Sequence, residues 1–211
     1  MLAGANRLAV HHDNGQWEVI GFCQAELIAP ATYRLSQLLR GLDGTDPEGE
    51  GAVSTGRSAV LLDGAVASRS IPQQWIGETL PVRAYAGRKD GEGQANSFSV
   101  ELSPVLPLAP AHLWGKRVGN DVILTWTRRS RADTNGWGIA DAPMEHAPER
   151  YRVTVFAGAQ TKRTVETSAP ALTYTAAEQI ADFGNLTAGF TFAVVQLSPV
   201  FGAGFSSQGA F

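Results

Sequence analysis

The chain has 211 residues, a length that corresponds to one or two domains. Hydrophobic residues make up 44% and charged residues 18% of it, so the chain is able to bury a core and lacks the composition of a disordered tail. The 17 basic and 20 acidic residues give a net charge of −3, which provides no global attraction to nucleic acid or to an anionic membrane.

Cysteine content and hydropathy exclude several further kinds of site and segment. Cys23 is the single cysteine, so the chain has no intrachain disulfide and no cysteine-rich zinc site. Because it follows Phe22, we expect it to be a small buried hydrophobic residue. A run of about 18 apolar residues is missing, which predicts no membrane span. The N-terminal residues also lack the basic region and long apolar stretch of a signal peptide.

A short internal repeat indicates two domains. Phe98-Ser-Val-Glu-Leu-Ser-Pro-Val105 resembles Phe192-Ala-Val-Val-Gln-Leu-Ser-Pro-Val200, about one β-sandwich domain further along the chain. We interpret each copy as the last strand of a β-domain; a chance match of two common strand sequences is the alternative. Residues 106–110 contain two prolines and predict a short, stiff linker. The predicted domains are therefore 1–106 and 107–211.

Strand signals dominate the first domain. Short β-rich segments predict strands at residues 17–22, 25–28, 32–35, 59–62 and 80–85. Asp13-Asn-Gly15 predicts a hairpin turn before the first of them. Residues 41–56 are rich in glycine and acidic residues, and we expect a long exposed loop there. The pattern favours a β-barrel or a β-sandwich of undefined topology.

The second domain has the same character. Strands are predicted at residues 111–118, 121–127, 151–156, 162–166, 172–174 and 190–197. Gly119-Asn120 predicts a two-residue hairpin turn, and residues 129–149 predict a long polar loop. Only residues 175–183 have a helical pattern, which is expected to end at Gly184. The predicted fold class is all-β, with two β-domains.

Residues 107–211 resemble a fibronectin type III domain. The residues that carry the resemblance are the proline-rich start, Leu124-Thr-Trp126, Tyr151-Arg-Val-Thr-Val155 and Gly202-Ala-Gly204 after the repeat. The resemblance implies that Trp126 fills the space between two sheets and that Tyr151 begins a strand of the facing sheet. This fold is a general spacer and binding scaffold, so it does not define a function.

A narrower resemblance extends over nearly the whole chain. It is carried by Tyr33-Arg-Leu-Ser-Gln-Leu-Leu-Arg-Gly-Leu-Asp-Gly-Thr45, Val60-Leu-Leu-Asp63, Pro110-Ala-His-Leu113, Leu124-Thr-Trp-Thr-Arg-Arg-Ser-Arg131 and Val195-Gln-Leu-Ser198. These segments resemble the C-terminal region of the tail-hub, or megatron, proteins of gene transfer agents and related tailed phages. In that family Gly-Asp-Ser-Trp follows the Arg-Arg segment, whereas this chain has Thr134-Asn-Gly-Trp137.

This second resemblance implies a function and a location. The chain is expected to be a tail-tip or baseplate component of a virion or phage-like particle that is assembled in the bacterial cytoplasm. Its expected partners are other tail or baseplate proteins and a host cell-surface glycan, with no nucleic acid. The resemblance also implies a homotrimer in the full-length context, of which this chain is a fragment or a truncated relative.

The residues themselves do not predict an enzyme. His11 and His12 are adjacent in a predicted strand, so they point to opposite faces and do not share a metal. The acidic residues 43–50 lack the EF-hand pattern and include Pro47, which favours a solvated loop over a calcium site. Glu26 is expected to face water, and no nucleophile-elbow motif is present. We predict no catalytic residue, no metal ligand and no cofactor.

The candidate binding residues are Arg128, Arg129, Arg131 and Trp137, at the end of a strand and in the loop that follows. Guanidinium groups bind carboxylates and phosphates, and arginine with tryptophan forms cation–π contacts. This pattern predicts a contact surface for a neighbouring tail subunit or an anionic glycan. The alternative, which we favour for the arginines, is pairing with acidic residues of the same loop: Asp133, Asp141, Glu145 and Glu149.

The sequence therefore favours a structural protein that positions and contacts its partners. The alternative is a carbohydrate-binding accessory module of a secreted or cell-surface protein. Exposed, coplanar aromatic rings on one face would favour that alternative. Burial of the tryptophans Trp17, Trp75, Trp126 and Trp137 would count against it.

Overall fold

The computed structural model describes residues 5–131 and 142–211. The protein is all-β, as predicted, and the described residues include one α-helix. The strands are β1 (Arg7–His11), β2 (Trp17–Ala29), β3 (Thr32–Leu42), β4 (Ala59–Leu61), β5 (Thr79–Ala84), β6 (Gln94–Ser99), β7 (Ala111–Val118), β8 (Asp121–Thr127), β9 (Tyr151–Ala157), β10 (Gln160–Thr167), β11 (Ala171–Tyr174), β12 (Thr191–Ser198) and β13 (Gly202–Ala210). The helix is α1 (Ala176–Phe183), and turns of 3-10 helix lie at Glu48–Glu50, Gln73–Trp75 and Ser103–Val105.

Within residues 5–131 and 142–211 the strands form four antiparallel sheets, and none of these sheets contains strands from both sides of residue 106. We call residues 5–106 the first unit and the described residues from 107 onward the second unit. The first unit has a four-stranded sheet in the order β3-β2-β1-β4 and a separate hairpin of β5 and β6. The second unit has a sheet in the order β11-β8-β7 and a sheet in the order β10-β9-β12-β13.

The first unit is organised by one long hairpin. The strands predicted at residues 17–22 and 25–28 form a single strand, β2, which pairs with β3 around the turn at Pro30 and Ala31. Ala31 has a φ of 55°, the left-handed conformation that the tight turn requires. The outer part of this hairpin extends beyond the rest of the sheet, and we call residues 23–37 the arm.

A buried ionic cluster fixes the segment that was predicted to be a long exposed loop. Glu18 is 2% exposed and accepts hydrogen bonds from Arg40 at 2.6 to 2.9 Å and from the Gly41 backbone amide at 2.9 Å. His12, which is fully buried, contacts the same carboxylate at 2.9 Å. A Cβ atom at Gly49 would lie 2.6 Å from the Glu18 side chain, so only glycine allows the chain to pass over it. This part of the prediction is wrong: most residues from 41 to 51 are half-buried.

The second unit is a two-layer sandwich. Strands β7, β8 and β11 form one layer, and β10, β9, β12 and β13 form the other, which is the strand arrangement of a fibronectin type III domain. The layers enclose the buried hydrophobic cluster of the protein. Trp126 of β8 is 5% exposed and packs edge-on against the fully buried Tyr151, with ring centroids 5.2 Å apart. The expected inter-sheet position of Trp126 is therefore confirmed.

The predicted helix is also confirmed. Thr175 caps its N-terminus in a reciprocal capping box with Glu178, and Gly184 ends it in the left-handed conformation with a φ of 79°. Gln179 is fully buried and donates to the backbone carbonyls of Asn120 and Tyr174, at 3.0 and 3.1 Å. These bonds fasten the helix to the β7–β8 turn.

The expectation about the repeat is wrong for its second copy. That copy lies in the buried central strand β12, and β13 follows it, so it is not the last strand of its unit. The predicted linker has neither helix nor strand, and it packs on the second unit: the Phe205 amide donates to the Pro107 carbonyl at 2.9 Å, and Leu108 is 4% exposed. A Cβ atom at Gly204 would overlap the Pro107 carbonyl, so the two segments pack backbone against backbone.

Candidate functional site

The predicted arginines lie where the two units meet. Arg128, Arg129 and Arg131 follow β8 and line a cleft of about 460 Å³. The opposite wall is the backbone of residues 41–44, at the end of β3. The structure thus brings the three arginines together and places them against the first unit. Trp137, Asp133 and Asp141 lie outside the described residues.

The hydrogen-bond partners of the Arg128 guanidinium all lie within the second unit. It contacts Glu149 at 2.5 Å, and it donates to the Ala142 carbonyl at 3.0 and 2.6 Å. Glu149 also accepts from the Tyr151 hydroxyl at 2.7 Å. Burial acts to lower the pKa of Arg128, but Glu149 outweighs it, and the pKa is raised. Burial and the same carboxylate raise the pKa of Tyr151. Arg128, Glu149 and Tyr151 therefore form an internal network in which the charge of Arg128 is already paired.

Arg129 and Arg131 connect the units. Arg129 contacts Asp46 of the first unit at 2.7 Å, and each of the two side chains is about one-third exposed. Arg131 donates to the Leu106 carbonyl and lies directly against Gly44, where a Cβ atom would meet its side chain. Burial lowers the pKa of Arg131. The backbone amide of Arg131 donates to Glu145 at 2.9 Å, so the segment is held on both sides.

Two predictions were made for these arginines, pairing with acidic residues of the same loop and contact with another molecule, and the structure bears on the first. Glu145 and Glu149, two of the acids proposed as partners, do bind the segment, at Arg131 and Arg128. Asp46, from the other unit, was not among the residues considered. The use of Arg128, Arg129, Arg131 and Trp137 as a surface for another molecule stays a prediction.

A second cleft, of about 600 Å³, lies entirely in the first unit and was missed by the sequence analysis. Its apolar wall includes Trp17 at the start of β2, Ile71, and Phe98 of β6. Trp17 is 42% exposed, and its ring centroid lies 4.9 Å from that of His11, which packs beside it. In the sequence, Trp17 is the first residue of a predicted strand, and alternation alone does not distinguish a packed position from the wall of a cleft.

Polar side chains surround that apolar wall. Gln16, Gln73 and Glu101 line the cleft, together with Glu48 from the fixed segment. Gln16 donates to Glu101 at 3.4 Å, which links the turn before β2 to the chain after β6. Among the described residues that line this cleft, none is lysine or arginine. The cleft thus combines an aromatic ring with hydrogen-bonding amides and carboxylates.

The arm carries an unpartnered apolar face. Leu27 lies directly opposite Tyr33, and Ala25 lies opposite Leu35, so these four side chains share one face. Leu27 and Tyr33 are each 61% exposed. Cys23 is also exposed, so the expectation that it is buried is wrong.

The reverse face of the arm is polar. Glu26 lies opposite Arg34, which it contacts at 3.3 Å, and Gln24 lies opposite Ser36. The arm is therefore amphipathic in the manner of a strand pair with one buried face, yet its apolar face meets solvent. Alternation of this kind is typical of a sheet that packs on another layer.

The β5–β6 hairpin has a similar arrangement. Its strands bond only to each other in the sheet, and Leu80 lies opposite Phe98, with Val82 two residues further along the same face. Val82 and Phe98 are 43% and 40% exposed. A two-stranded hairpin is only marginally stable by itself, so packing of its apolar face against another surface would stabilise it.

Two further kinds of feature are absent from the described residues. No helix among them is long and apolar enough to cross a membrane. No group of three or more His, Cys, Asp or Glu side chains in residues 5–131 and 142–211 has an arrangement that could hold a metal ion.

Comparisons with known proteins bear on the first unit and on the fold. The model of a family described as "Rcc01698-like, C-terminal" matches residues 1–60, and that family is named after a protein of the gene-transfer-agent type. No curated protein matches the chain.

The solved structures that are similar to it include the following two. One is described as "FN3tt mut", with 15% identity and a TM-score of 0.34 over 50% of this chain and 94% of that chain. The other is the rat CD45 extracellular region, domains d3–d4, with 13% identity and a TM-score of 0.37 over 89% of this chain and 93% of that chain.

Proposed function

We propose that this protein is a structural component of the tail tip or baseplate of a phage or phage-like particle. Its role is to contact neighbouring tail subunits or the host surface, and not to catalyse a reaction. The observation that carries the proposal is the apolar face of the arm. This face lies within residues 1–60, the part of the chain that matches the family named after a gene-transfer-agent-type protein.

Exposure of that apolar face to water costs free energy. Apolar surface gains about 25 cal/mol per Å² when it leaves water, and contiguous exposed patches mark interaction sites. Leu27 and Tyr33 would bury most of their side-chain surface only if another molecule covered the arm. The proposed partners are other tail or baseplate proteins and further copies of the full-length protein in a homotrimer.

A test of location uses the particles themselves. An antibody raised against this chain, with a gold label, is applied to tailed particles from the source cells and imaged by electron microscopy. Label at the tail end supports the proposal. Label that is absent from particles, while the chain is detected elsewhere in the cell, overturns it.

A test of contact uses the two faces of the arm. Leu27→Ser with Tyr33→Ser removes the apolar face, and Glu26→Ser with Arg34→Ser is the matched control on the polar face. We expect the first pair to abolish association with the tail proteins in a co-assembly and sedimentation assay, and the second pair to leave it unchanged. Equal association by both variants would contradict the proposal.

The second candidate is a carbohydrate-binding module, and one observation favours it. Trp17 and Trp75 are 42% and 41% exposed rather than buried. Trp126, in contrast, belongs to the core, and Trp137 lies outside the described residues. This candidate and a tail-tip role are compatible where the tail contacts a host cell-surface glycan.

A further inference from the structure

The cleft beside Trp17 combines features that a saccharide requires. A pyranose ring has an apolar face of C–H groups and a rim of hydroxyls. Trp17 offers a flat apolar ring that is 42% exposed, and Phe98 extends the same wall. Aromatic rings of this kind are large, rigid and amphipathic, and so they contribute contact area at a low entropic cost.

The polar groups suit hydroxyls as well. Gln16 and Gln73 each carry two N–H donors and one acceptor oxygen, and the Glu101 carboxylate accepts only. A polyol offers donors and acceptors on every carbon, so it is able to satisfy this mixed set. A purely apolar docking segment would remove water from the Gln16–Glu101 pair and from the Gln73 amide without replacing its hydrogen bonds, at a cost in binding free energy.

Charge restricts the class of saccharide. Glu48 and Glu101 both line the cleft, and the described lining residues include no lysine or arginine. Uronic acids, sialic acids and phosphorylated sugars would therefore meet carboxylates without a compensating cation. The size is suitable, since a cleft of about 600 Å³ lies within the range of small-molecule sites.

We propose that this cleft binds an uncharged oligosaccharide, with one sugar ring against Trp17 and its hydroxyls bound by Gln16, Gln73 and Glu101. The proposal rests on the contact with the host surface that is part of the proposed function, and it names the chemistry of that contact. It assigns ligand binding to this cleft and not to Arg128, Arg129 and Arg131, which contact other groups of the same chain.

The test is a binding assay on the full chain. The probes are linear trisaccharides of glucose, galactose, mannose and N-acetylglucosamine, with sialyllactose and a galacturonic acid trisaccharide as the charged members. Saturation-transfer NMR detects weak binding, and titration calorimetry gives the affinity. We expect at least one uncharged trisaccharide to bind and both charged members to be rejected.

Variants assign the site. Trp17→Ala is expected to weaken binding by at least about tenfold, Trp17→Phe less, and Glu101→Gln measurably. Trp114→Ala is the matched control, because Trp114 is 67% exposed and lies in the second unit. Urea unfolding and circular dichroism establish that each variant is folded. If Trp17→Ala is not folded, Trp17→Phe and Glu101→Gln decide.

Three results would overturn the inference: no uncharged trisaccharide binds, the charged members bind better, or binding survives in the cleft variants. An amphipathic peptide that binds the cleft in place of the sugars would also replace it. The two proposals fail separately. Particles that carry the chain while no sugar binds would remove only the saccharide, and sugar binding without label on particles would remove only the tail location.

Discussion

The two units contain similar lengths of chain but bury their apolar side chains very differently. In the second unit, Val122, Leu124 and Phe192 are fully buried between two sheets, as part of one continuous cluster. In the described part of the first unit, the only buried hydrophobic side chains are Ile20 and Phe22. The second unit therefore has a continuous hydrophobic core, whereas the described part of the first unit leaves most of its apolar side chains exposed or half-buried.

The difference follows from layer architecture. A sheet buries its apolar face by packing against a second layer, and the sandwich supplies one. The described strands of the first unit form one four-stranded sheet, which includes the arm, and a separate two-stranded hairpin. The conformation of the chain around Gly41 is instead held by the polar cluster at Glu18. Such a cluster fixes a conformation well but adds little net stability compared with a hydrophobic core.

The largest expected effect is in the sandwich. Phe192→Ala removes a fully buried ring at the centre of the cluster, and we expect a loss of about 3–5 kcal/mol in the free energy of unfolding. Urea denaturation followed by circular dichroism measures it. Trp114→Ala, at an exposed position, is the control and should change little. A similar small change in both variants would contradict a core in the second unit.

The next effect is in the ionic cluster of the first unit. Glu18→Gln keeps the shape of the side chain but removes the charge that Arg40 and His12 contact, and we expect a cost of about 2 kcal/mol. Glu26→Gln breaks the exposed pair with Arg34 and should cost almost nothing. Urea unfolding of both variants decides. Equal stability of the two would mean that Glu18 does not hold the unit together.

The same cluster predicts an acid dependence. Burial acts to raise the pKa of Glu18, but Arg40, the Gly41 amide and His12 outweigh it, so the pKa lies below its ordinary value of 4.5. A carboxyl whose pKa is lowered by folding stabilises the fold above pH 4.5, and that stability is lost as the pH falls through the folded-state pKa.

Hydrogen exchange of the backbone amides of residues 41–51, measured between neutral and acidic pH, checks this dependence. Intrinsic exchange slows as the pH falls in this range, so it is exchange relative to the intrinsic rate that should accelerate below pH 4.5. In Glu18→Gln that extra acceleration should disappear. If the variant keeps the same acid dependence as the parent chain, another group is responsible.

A smaller effect is expected at the junction. Arg129→Ala removes the contact with Asp46, and because both side chains are about one-third exposed, the cost should stay under about 1 kcal/mol. The more sensitive readout is limited proteolysis around residues 103–110, which should become faster as the units separate. Arg152→Ala, in an exposed pair with Glu166 within the second unit, is the control. Unchanged proteolysis in Arg129→Ala would mean that Arg131 alone maintains the junction.

The smallest effect on stability should come from the arm. Leu27→Ser with Tyr33→Ser alters side chains that are each 61% exposed, so the free energy of unfolding of the isolated chain should change by less than about 0.5 kcal/mol. Urea unfolding at low protein concentration measures this. A loss of several kcal/mol would show that the apolar face is already covered within the chain, and it would remove the contrast between the units.

Much of the second unit could be predicted from local signals. The β7–β8 turn at Gly119-Asn120, the helix capped by Thr175 and Gly184, and the position of Trp126 depend on neighbouring residues and on period-two alternation. The first unit was less predictable. The acidic composition of residues 41–56 indicated solvent, because composition does not reveal that Glu18, 23 residues earlier than Gly41, binds the backbone there.

The candidate sites also combine residues that the sequence identified with residues that only the structure brought together. Arg128, Arg129 and Arg131 were identified from their chemistry, and two of their acidic neighbours were anticipated, but Asp46 was not. The Trp17 cleft was missed because its walls come from the start of β2, the segment before β5, and β6. Such residues are distant in the chain and carry no shared motif.

The sequence by itself determined the all-β class, the turns, the helix and its caps, and the sandwich strands, because each depends on local backbone preferences and on the alternation of side chains along one strand. Only the tertiary structure decided which alternating faces are covered. Alternation in the arm and in β8 looks alike along the chain, yet Leu124 is fully buried and Leu27 is 61% exposed. The physical reason is that burial depends on a second layer, and the presence of that layer is a property of the whole fold rather than of any segment.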